Sequence, residues 1–485
     1  MMASLKTKTI SSLFWKLFER GGNAVIQLVV QVVMARLLSP DEFGALAIML
    51  VLINFGNVIV LSGLNTALVQ SSSTDEDDCS TVFWLSFGLS ILMYAAVFVV
   101  APLLADFYQI AALTSTLRVL ALLFLINAFN SVQVAIVQRA LEFRIIFFAT
   151  IASILTSGFI AIASAIMGAG LWALVLQQLI YQIVNCVVLA GQVRWIPRIV
   201  FRTKKAKNLF SFSWKLLVSG LLDQGYQGLS DLVIGKQFSA SSLGLVSQGK
   251  KYPHAIGTML NGAIQPVMLS AVAHVQDDID YVKRLVRRAL KTSSYLIIPS
   301  MTLFAVVAEP IVRLLLGEQW LPAVPFLQMY CVIYMLLPIH TSNLQALNGM
   351  GRSDLFLKLE LIKKAYSIVF ILVGAFVFQN VYVLVGSYIL SGVISTFVNA
   401  WPNRKVIGYS YIEQVKDICP AFLLAAVSAA VALPIGMLAL PDIATILLQA
   451  AVMAACYLGL SKFFKVEALD YLLATAKEFV VLKRG

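Results

Sequence analysis

Charged residues are scarce in this sequence. Only 12% of its 485 residues are Asp, Glu, Lys or Arg, and 60% are hydrophobic, whereas an ordinary soluble domain is about a quarter charged. A soluble globular enzyme, a disordered chain, a coiled coil and a collagen all need more charge or a Gly/Pro bias. The composition therefore excludes these classes and indicates an integral membrane protein.

Cysteine and histidine are also rare, and no motif of enzymatic chemistry is present. The five cysteines form no CxxC pair, the three histidines fit no metal-binding spacing, and phosphate-loop and nucleophile-elbow motifs are missing. The acidic runs 75–78 and 277–280 are interpreted as solvated loop charge. The sequence thus predicts no enzyme, no metal and no cofactor. A membrane glycosyltransferase is the alternative from another class, although it would usually need an extramembrane nucleotide-binding domain.

Long apolar runs dominate the chain. A helix needs ~20 apolar residues to cross the hydrocarbon core, and fourteen runs of this kind are separated by polar or Gly/Pro punctuation. The predicted fold is therefore an all-α integral membrane protein with fourteen transmembrane helices. These are predicted at 12–37, 44–69, 81–105, 112–138, 145–168, 171–193, 209–236, 244–272, 292–316, 322–348, 355–378, 381–401, 418–440 and 443–463.

The net charge of +12 is explained by membrane orientation, so no nucleic acid partner is predicted. If the N-terminus is cytoplasmic, all but six of the 36 Lys and Arg residues fall on the cytoplasmic side. Most lie in the segments 194–208, 281–291 and 462–485. An even number of spans then puts both termini in the cytoplasm. The last segment has one apolar face, which is typical of a helix lying on the inner membrane surface.

An internal repeat divides the chain. Residues 12–17 (SLFWKL) recur at 211–216 (SFSWKL), and 35–47 align with 235–247 through Ser39 with Ser239 and Gly44 with Gly244. Six spans separate the copies, so they enter the membrane in the same direction and form parallel repeats. We expect an N-terminal lobe at 1–193, a basic cytoplasmic linker at 194–208, a C-terminal lobe at 209–401, two extra spans within 402–463, and a cytoplasmic amphipathic tail at 464–485.

Polar residues recur at helical spacing in four of the predicted spans. A charged side chain at the bilayer centre costs ~2.5–3.5 kcal/mol, so its usual place is a wet cavity or a protein partner. Two readings are open: a hydrophilic chamber between the lobes, or hydrogen-bonded contacts between helices worth about 0.6–2 kcal/mol each. The residues are Lys16, Arg20, Asn23, Gln27 and Gln31 in span 1; Asn54, Asn57 and Asn65 in span 2; Lys215, Ser219, Asp223, Gln227 and Asp231 in span 7; and Lys251, His254, Thr258, Asn261 and Gln265 in span 8.

Several segments resemble the polysaccharide flippases of the MOP superfamily, and most of all the WzxC, or colanic-acid-exporter, type. They are LSPDEFG (38–44), GLNTALVQ (63–70), STVFW (80–84), VQRALEFRIIF (137–147) and GAGLWALVLQQL (168–179). The resemblance implies two six-helix lobes plus two C-terminal helices in the bacterial inner membrane. It also implies that the protein flips undecaprenyl-diphosphate-linked oligosaccharide units for exopolysaccharide or lipopolysaccharide assembly. A polysaccharide polymerase and chain-length machinery are the implied protein partners, beside membrane lipids.

The polar stripes suit such a cargo, because Lys and Arg bind phosphate while amides exchange hydrogen bonds with sugar hydroxyls. The predicted substrate-binding residues are Lys16, Arg20, Asn23, Gln27, Lys215, Gln227, Lys251, His254, Asn261 and Gln265. Asp223, Asp231 and Glu19 either couple flipping to an ion gradient or neutralise nearby basic groups. A lipid-linked peptidoglycan-precursor flippase stays an alternative. A drug/cation antiporter is disfavoured, because cationic drugs favour an acidic chamber and twelve spans are its norm.

Overall fold

The computed structural model describes residues 23, 26–61, 63–70 and 75–482, and these residues form helices joined by short turns, with no β-strand among them. The helices are α1 (Ile26–Leu37), α2 (Pro40–Leu61), α3 (Leu64–Gln70), α4 (Glu76–Tyr108), α5 (Ala112–Leu120), α6 (Leu123–Ala140), α7 (Phe143–Ile166), α8 (Leu171–Val193), α9 (Thr203–Gln237), α10 (Ala240–His274), α11 (Ile279–Val306), α12 (Ala308–Leu315), α13 (Val324–Met335), α14 (Leu337–Gly349), α15 (Ser353–Leu372), α16 (Val381–Ala400), α17 (Asn403–Val406), α18 (Tyr411–Ala432), α19 (Asp442–Phe463) and α20 (Glu467–Leu482).

Within the described residues, eleven helical segments are long and apolar enough to cross a membrane. This confirms the prediction of an all-helical membrane protein. Three of the predicted spans are not among the eleven: 12–37, 209–236 and 355–378. Half of the first lies outside the described residues. The other two are helical, as α9 and α15, but carry more charge than a purely lipid-facing helix tolerates. The total of fourteen therefore stays a prediction.

The described residues up to Gly244 form one compact unit, and those from Leu245 onward form a second. In the first unit, α7 and α6 pack on α8, α4 packs on α5 and α6, and α9 packs on α2, α3 and α4. Lys236, near the end of α9, donates to the carbonyl of Phe107 at 2.5 Å. The predicted repeat assigns α9 to the C-terminal lobe, whose boundaries stay a prediction.

The second unit is built around α11. Its residues Val282, Val286 and Leu290 recur every four positions and are fully buried, which places one apolar face of the helix in the core. Helix α11 packs on α13, α14 and α18, while α18 packs on α19 and α15 packs on α16. The predicted amphipathic tail is helical as α20, and α20 contacts α11.

The repeated turns identified in the sequence have matching structures. Helix α2 begins directly after Ser39, whose backbone N–H and hydroxyl both donate to a carboxylate oxygen of Glu42, at 2.7 and 3.0 Å. Helix α10 begins directly after Ser239, whose hydroxyl accepts from the backbone N–H of Ser242 at 3.0 Å. In each copy a serine therefore bonds the residue three positions later in the first helical turn. Ser239 does so as an N-cap acceptor, and Ser39 does so as the donor to Glu42 found in a capping box.

The glycines of the two turns lie against each other's helix starts. A methyl group added to Gly44 would overlap the backbone carbonyl of Ala240, and one added to Gly244 would overlap the backbone carbonyl of Pro40. Only glycine allows two backbones to approach this closely. The contact is reciprocal, and it explains why glycine stands at both positions.

Candidate functional site

The polar stripe of α10 is partly engaged in contacts between helices. His254 Nδ1 lies 2.7 Å from the hydroxyl of Tyr334 in α13, and the hydroxyl of Thr341 in α14 donates to Asn261 Oδ1 at 2.5 Å. Gln265 is exposed and Lys251 is half-buried. Hydrogen bonds therefore fix two members of the stripe to the rest of the second unit, while Gln265 is open to an external ligand.

The stripe of α9 shows the expected helical spacing. Gln227 donates to the carboxylate of Asp223, one turn earlier, at 2.7 Å, and both side chains are exposed. Asp231 is half-buried, and Lys215 lies in the same helix. A carboxylate exposed on a helix that is predicted to span the membrane requires water or a polar ligand around it. This arrangement favours a wet face on α9.

The polar residues of spans 1 and 2 support both interpretations, since some form contacts between helices and others are exposed. Asn127 in α6 donates to Asn57 Oδ1 at 2.9 Å, so Asn57 bonds two helices together. Asn23 is buried, and its side-chain oxygen has no hydrogen-bond partner among the described residues. Gln27 and Asn54 are exposed. The predicted site residues Lys16, Glu19 and Arg20 lie outside the described residues.

The predicted stripes missed a polar group in the second unit. In α15, the ammonium of Lys363 donates to the carboxylate of Glu360 at 2.6 Å, and only 14% of the lysine side chain is exposed. His340 in α14 lies 3.0 Å from the amide nitrogen of Asn399 in α16. The signal was visible in the sequence: four charged residues interrupt the run 355–378, which is why α15 is too polar for a typical span.

Three buried amide side chains join α14, α17 and α18. Asn343 donates to Gln414 at 2.7 Å, and both Asn403 and Gln414 donate to Asn343 Oδ1, at 2.7 and 2.9 Å. All three residues are at most 1% exposed. Because a buried polar group is costly unless it is hydrogen-bonded, this network holds the helix ends in place. Its residues are far apart in the sequence, so no local pattern reveals it.

The acidic run 75–78 does not carry solvated loop charge, so that prediction is wrong. Its four carboxylates pair with basic residues of the linker, and we call this group the linker clasp. Arg202 bonds Asp75 at 2.7 Å, Lys205 bonds Asp78 at 2.8 Å, and Arg198 pairs with Glu76. Asp77 also pairs with Arg198 and Arg202. The linker is thereby fixed to the start of α4.

The helix start itself contributes to the clasp. Asp75 caps α4 by accepting from the backbone N–H of Asp78 at 2.8 Å. That hydrogen bond first, and the Arg202 guanidinium second, hold the pKa of the Asp75 carboxyl below its ordinary value. Carboxylates are favoured at a helix N-terminus by the helix dipole. The run 277–280 behaves as predicted, since its four residues are exposed and Asp278 only caps α11.

A second set of ion pairs lies at the basic end of the second unit. Lys283 bonds Glu413 at 2.9 Å, Arg287 bonds Asp417 at 2.6 Å, and Lys291 bonds Glu467 at 2.7 Å. The three basic residues are spaced four apart on one face of α11. Through them, α11 is joined to the first two turns of α18 and to the start of α20.

Together these features define the class of protein. The chain is a multi-pass α-helical membrane protein with polar groups along several of its helices, and such groups mark the pathways of polar substrates or ions. Within the described residues, no group of three or more His, Cys, Asp or Glu side chains is placed to hold a metal ion.

The comparisons with known proteins agree with this class. Residues 33–325, more than half of the chain, match the polysaccharide biosynthesis protein family, and the chain belongs to that family. It is 25% identical to the lipopolysaccharide biosynthesis protein WzxC of Escherichia coli K12, over 90% of this chain and 89% of the relative. It is 24% identical to the succinoglycan biosynthesis transport protein ExoT of Rhizobium meliloti 1021, over 87% and 83%.

A solved structure shares the fold. The lipid II flippase MurJ, in an inward closed conformation, superposes with a TM-score of 0.72 over 94% of this chain and 98% of its own. The two sequences are 14% identical, so this likeness concerns the fold alone. The family and the fold together confirm the resemblance to the polysaccharide flippases.

Proposed function

We propose that this protein flips undecaprenyl-diphosphate-linked oligosaccharide units across the bacterial inner membrane by alternating access, for exopolysaccharide or lipopolysaccharide assembly. The observation that carries the proposal is the presence of charged and amide side chains along α9, α10 and α15 in a member of the polysaccharide biosynthesis protein family. The names of the relatives support it, since one acts in lipopolysaccharide biosynthesis and another in succinoglycan transport.

The proposed cargo, a lipid-linked oligosaccharide, accounts for the charged and amide side chains of the polar stripes. A diphosphate and many hydroxyls cannot enter hydrocarbon unless other partners replace their lost water. We assign the diphosphate to Lys16, Arg20 and Lys251, with Lys215 as an alternative to Lys251. Amide groups at Asn23, Gln27, Asn261 and Gln265 face the sugars, with Gln227 and His254 beside them. Gln27 and Gln265 are exposed and can contact a sugar directly, whereas Asn261 must exchange its bond to Thr341.

The architecture belongs to the same proposal. Fourteen spans form two parallel-repeat lobes, at 1–193 and 209–401, with two extra helices, a basic cytoplasmic linker and a cytoplasmic tail. Rocking of the lobes alternates access to the polar faces of spans 1, 2, 7 and 8. The matching turns after Ser39 and Ser239 support the repeat. The basic segments set the orientation, with both termini in the cytoplasm.

Three acidic residues are candidates for coupling flipping to an ion gradient. Asp223, Asp231 and Glu19 either carry an ion or neutralise basic neighbours, and the bond from Gln227 to Asp223 leaves that carboxylate exposed. Transport into vesicles with and without an imposed pH gradient separates these roles. A rate that ignores the gradient assigns the acids to charge neutralisation.

The test is a flipping assay with the full chain reconstituted in vesicles. The probe is a fluorescent oligosaccharide on a polyprenyl diphosphate, and the readout is its loss of protection from an added glycosidase. Lys251→Glu is expected to slow flipping by about tenfold or more, because it replaces a charge-assisted phosphate contact with repulsion. Lys207→Glu makes the same charge change at an exposed position of the linker end, and it should leave the rate unchanged.

Each alternative has its own outcome in this assay. Flipping by Lys251→Glu at the unaltered rate removes the assigned diphosphate contact. Preference for a lipid-linked peptidoglycan precursor over oligosaccharide units establishes the alternative cargo. Uptake of a cationic dye without lipid flipping establishes the antiporter. Formation of a new sugar–sugar bond by the purified protein establishes the glycosyltransferase and overturns the transporter.

A further inference from the structure

A groove on the second unit lies between α10, α11 and α20. It has a volume of about 290 Å³, and its walls are mostly apolar. Val267 and Met268 line it from α10, and Leu285 and Leu296 line it from α11. Arg288 and Tyr471 also line it, and they are its charged and aromatic polar groups. We call it the α10–α11 groove. Its shape and lining suit an apolar chain with an anionic end.

The basic residues of α11 fall into two sets. Lys283, Arg287 and Lys291 bond carboxylates of α18 and α20, as described above. Arg284 and Arg288 each come one residue later and are exposed. Within the described part of the chain, neither has a carboxylate within ion-pair distance. Their guanidinium groups lie instead over aromatic rings, at 5.6 Å from Tyr281 and 5.2 Å from Tyr471.

Arg284 and Arg288 therefore leave positive charge on one face of α11 that no ion pair compensates within the described residues. Asp280 lies one turn before Arg284 on α11, but the two form no ion pair within the described residues. The pKa of Glu467 is lowered chiefly by its hydrogen bond to Lys291, with Arg288 among the weaker causes. Arg284 and Arg288 are four residues apart and therefore adjacent on the helix surface. Two neighbouring guanidinium groups can hold one phosphate in a bidentate geometry that lysine does not offer.

A larger cavity on the same unit gives the contrast. It has a volume of about 780 Å³ and is lined by residues of α11, α18, α19 and α20. Lys291, Asp417 and Glu467 line it as well, but these three pair with one another. Three of its four charged groups are thus engaged with one another, and Lys465 is the fourth. The α10–α11 groove differs in carrying a guanidinium, that of Arg288, on its wall, with a second, that of Arg284, one turn away on the same helix.

We propose that the α10–α11 groove binds an anionic lipid of the predicted cytoplasmic leaflet, with Arg284 and Arg288 contacting the headgroup phosphate. The apolar wall formed by Val267, Met268, Leu285 and Leu296 receives the first part of the lipid chain. Basic pockets between membrane helices on the cytoplasmic side are known to bind anionic headgroups. No residue of the polar stripes lines the groove, so the proposal does not depend on the proposed transport activity.

The experiment uses native mass spectrometry of the full chain, released from micelles that contain either dioleoyl phosphatidylglycerol or dioleoyl phosphatidylcholine. The wild-type protein should retain phosphatidylglycerol in preference to phosphatidylcholine. The double variant Arg284→Gln/Arg288→Gln should bind phosphatidylglycerol at least about tenfold more weakly, because both charge-assisted contacts to the headgroup phosphate are lost. The matched variant Arg404→Gln/Lys405→Gln removes two exposed charges of α17 in the same unit, and its binding should not change.

Two further measurements distinguish a lipid site from general surface charge and from a site for a free anion. Ala271→Phe fills part of the groove without changing charge, so it should also weaken retention of phosphatidylglycerol. Inorganic phosphate at millimolar concentration should not displace the lipid. Equal losses in the two double variants would show that general surface charge attracts the lipid, and complete displacement by inorganic phosphate would show a free-anion site. Either result overturns the proposal. Thermal unfolding of each variant verifies its folding.

Discussion

The two ends of the first unit are held by different kinds of contact. At one end, the linker clasp joins Arg198, Arg202 and Lys205 to the acidic start of α4. At the other end, the starts of α2 and α10 meet through Gly44 and Gly244, where backbone lies against backbone. Ion pairs are screened by salt and titrate with pH, whereas close backbone packing does neither. Solution conditions can therefore loosen the first end without affecting the second.

The ion pairs also show that the number of Lys and Arg residues in a segment overstates its free positive charge. The basic linker and the basic face of α11 both look like free positive charge in the sequence, yet most of these residues are neutralised within their own unit. The residual charge lies at a few positions, among them Arg284 and Arg288. The distribution of positive residues predicts orientation, but the identity of the free ones needs the structure.

Of the substitutions at the two ends of the first unit, Asp78→Lys should lower the thermal stability most. Only 6% of the Asp78 side chain is exposed, and it bonds Lys205 at 2.8 Å. A lysine there would face Arg202 and Lys205 in a buried position, and breaking a buried pair in this way costs about 3–5 kcal/mol. The measurement is thermal unfolding in detergent, followed by a thiol-reactive dye that reports exposure of the buried Cys79 and Cys331.

The same substitution at an exposed acid provides its reference. Asp280→Lys, in the first turn of α11, should unfold at nearly the wild-type temperature. Adding Lys205→Asp to Asp78→Lys should restore part of the lost stability. Equal unfolding temperatures for Asp78→Lys and Asp280→Lys would mean that the clasp does not hold this end.

The sequence predicted the helical membrane class because apolar runs are a local pattern. The repeat rests on a local pattern as well, the serine–glycine turn, and the division into two lobes stays a prediction. The sequence also predicted the faces of α9 and α10, since Asp223 with Gln227 and His254 with Asn261 follow helical spacing. It did not predict the linker clasp or the Asn343–Gln414–Asn403 network. Their members are brought together by tertiary packing across tens of residues, and no periodicity records such contacts. The charges of Glu360 and Lys363 are visible in the sequence, but their pairing is seen only in the structure.

Gly44→Val tests the opposite end. The new side chain would overlap the carbonyl of Ala240, and overpacking against rigid backbone costs about 3 kcal/mol. Gly88→Val serves as the reference, because a side chain at Gly88 meets open space. The loss at Gly44 should be the same at low salt and at about 1 M salt. A loss that shrinks with salt would show that charge, and not packing, holds this end as well.

Arg202→Gln should have a smaller and salt-dependent effect. Arg202 bonds Asp75 at 2.7 Å and also pairs with Asp77, but 44% of its side chain is exposed. Exposed pairs contribute about 0.2–1 kcal/mol, and salt screens them. The readout is the alkylation rate of Cys79, the buried thiol beside the clasp, with the other four cysteines replaced. The variant should react faster than wild type at low salt and equally fast at about 1 M salt, whereas Arg404→Gln should match wild type throughout.

Acid should produce the smallest and most local change. The pKa of Asp75 lies below its ordinary value of 3.8, so its contribution to stability is complete above that value and is lost as the pH falls through the lower folded-state pKa. The linker clasp should therefore be unchanged from neutral pH down to about pH 5 and should loosen below about pH 4. Trp84 reports on this end, because its indole N–H donates to the carbonyl of Arg198 at 2.7 Å. Its fluorescence, taken as the difference between wild type and Trp84→Phe, should shift in that acid range. In Asp75→Asn the shift should be smaller, since one titrating carboxylate is gone. A fluorescence transition centred near neutral pH would contradict the role of Asp75, because it would require a carboxylate whose pKa is raised rather than lowered.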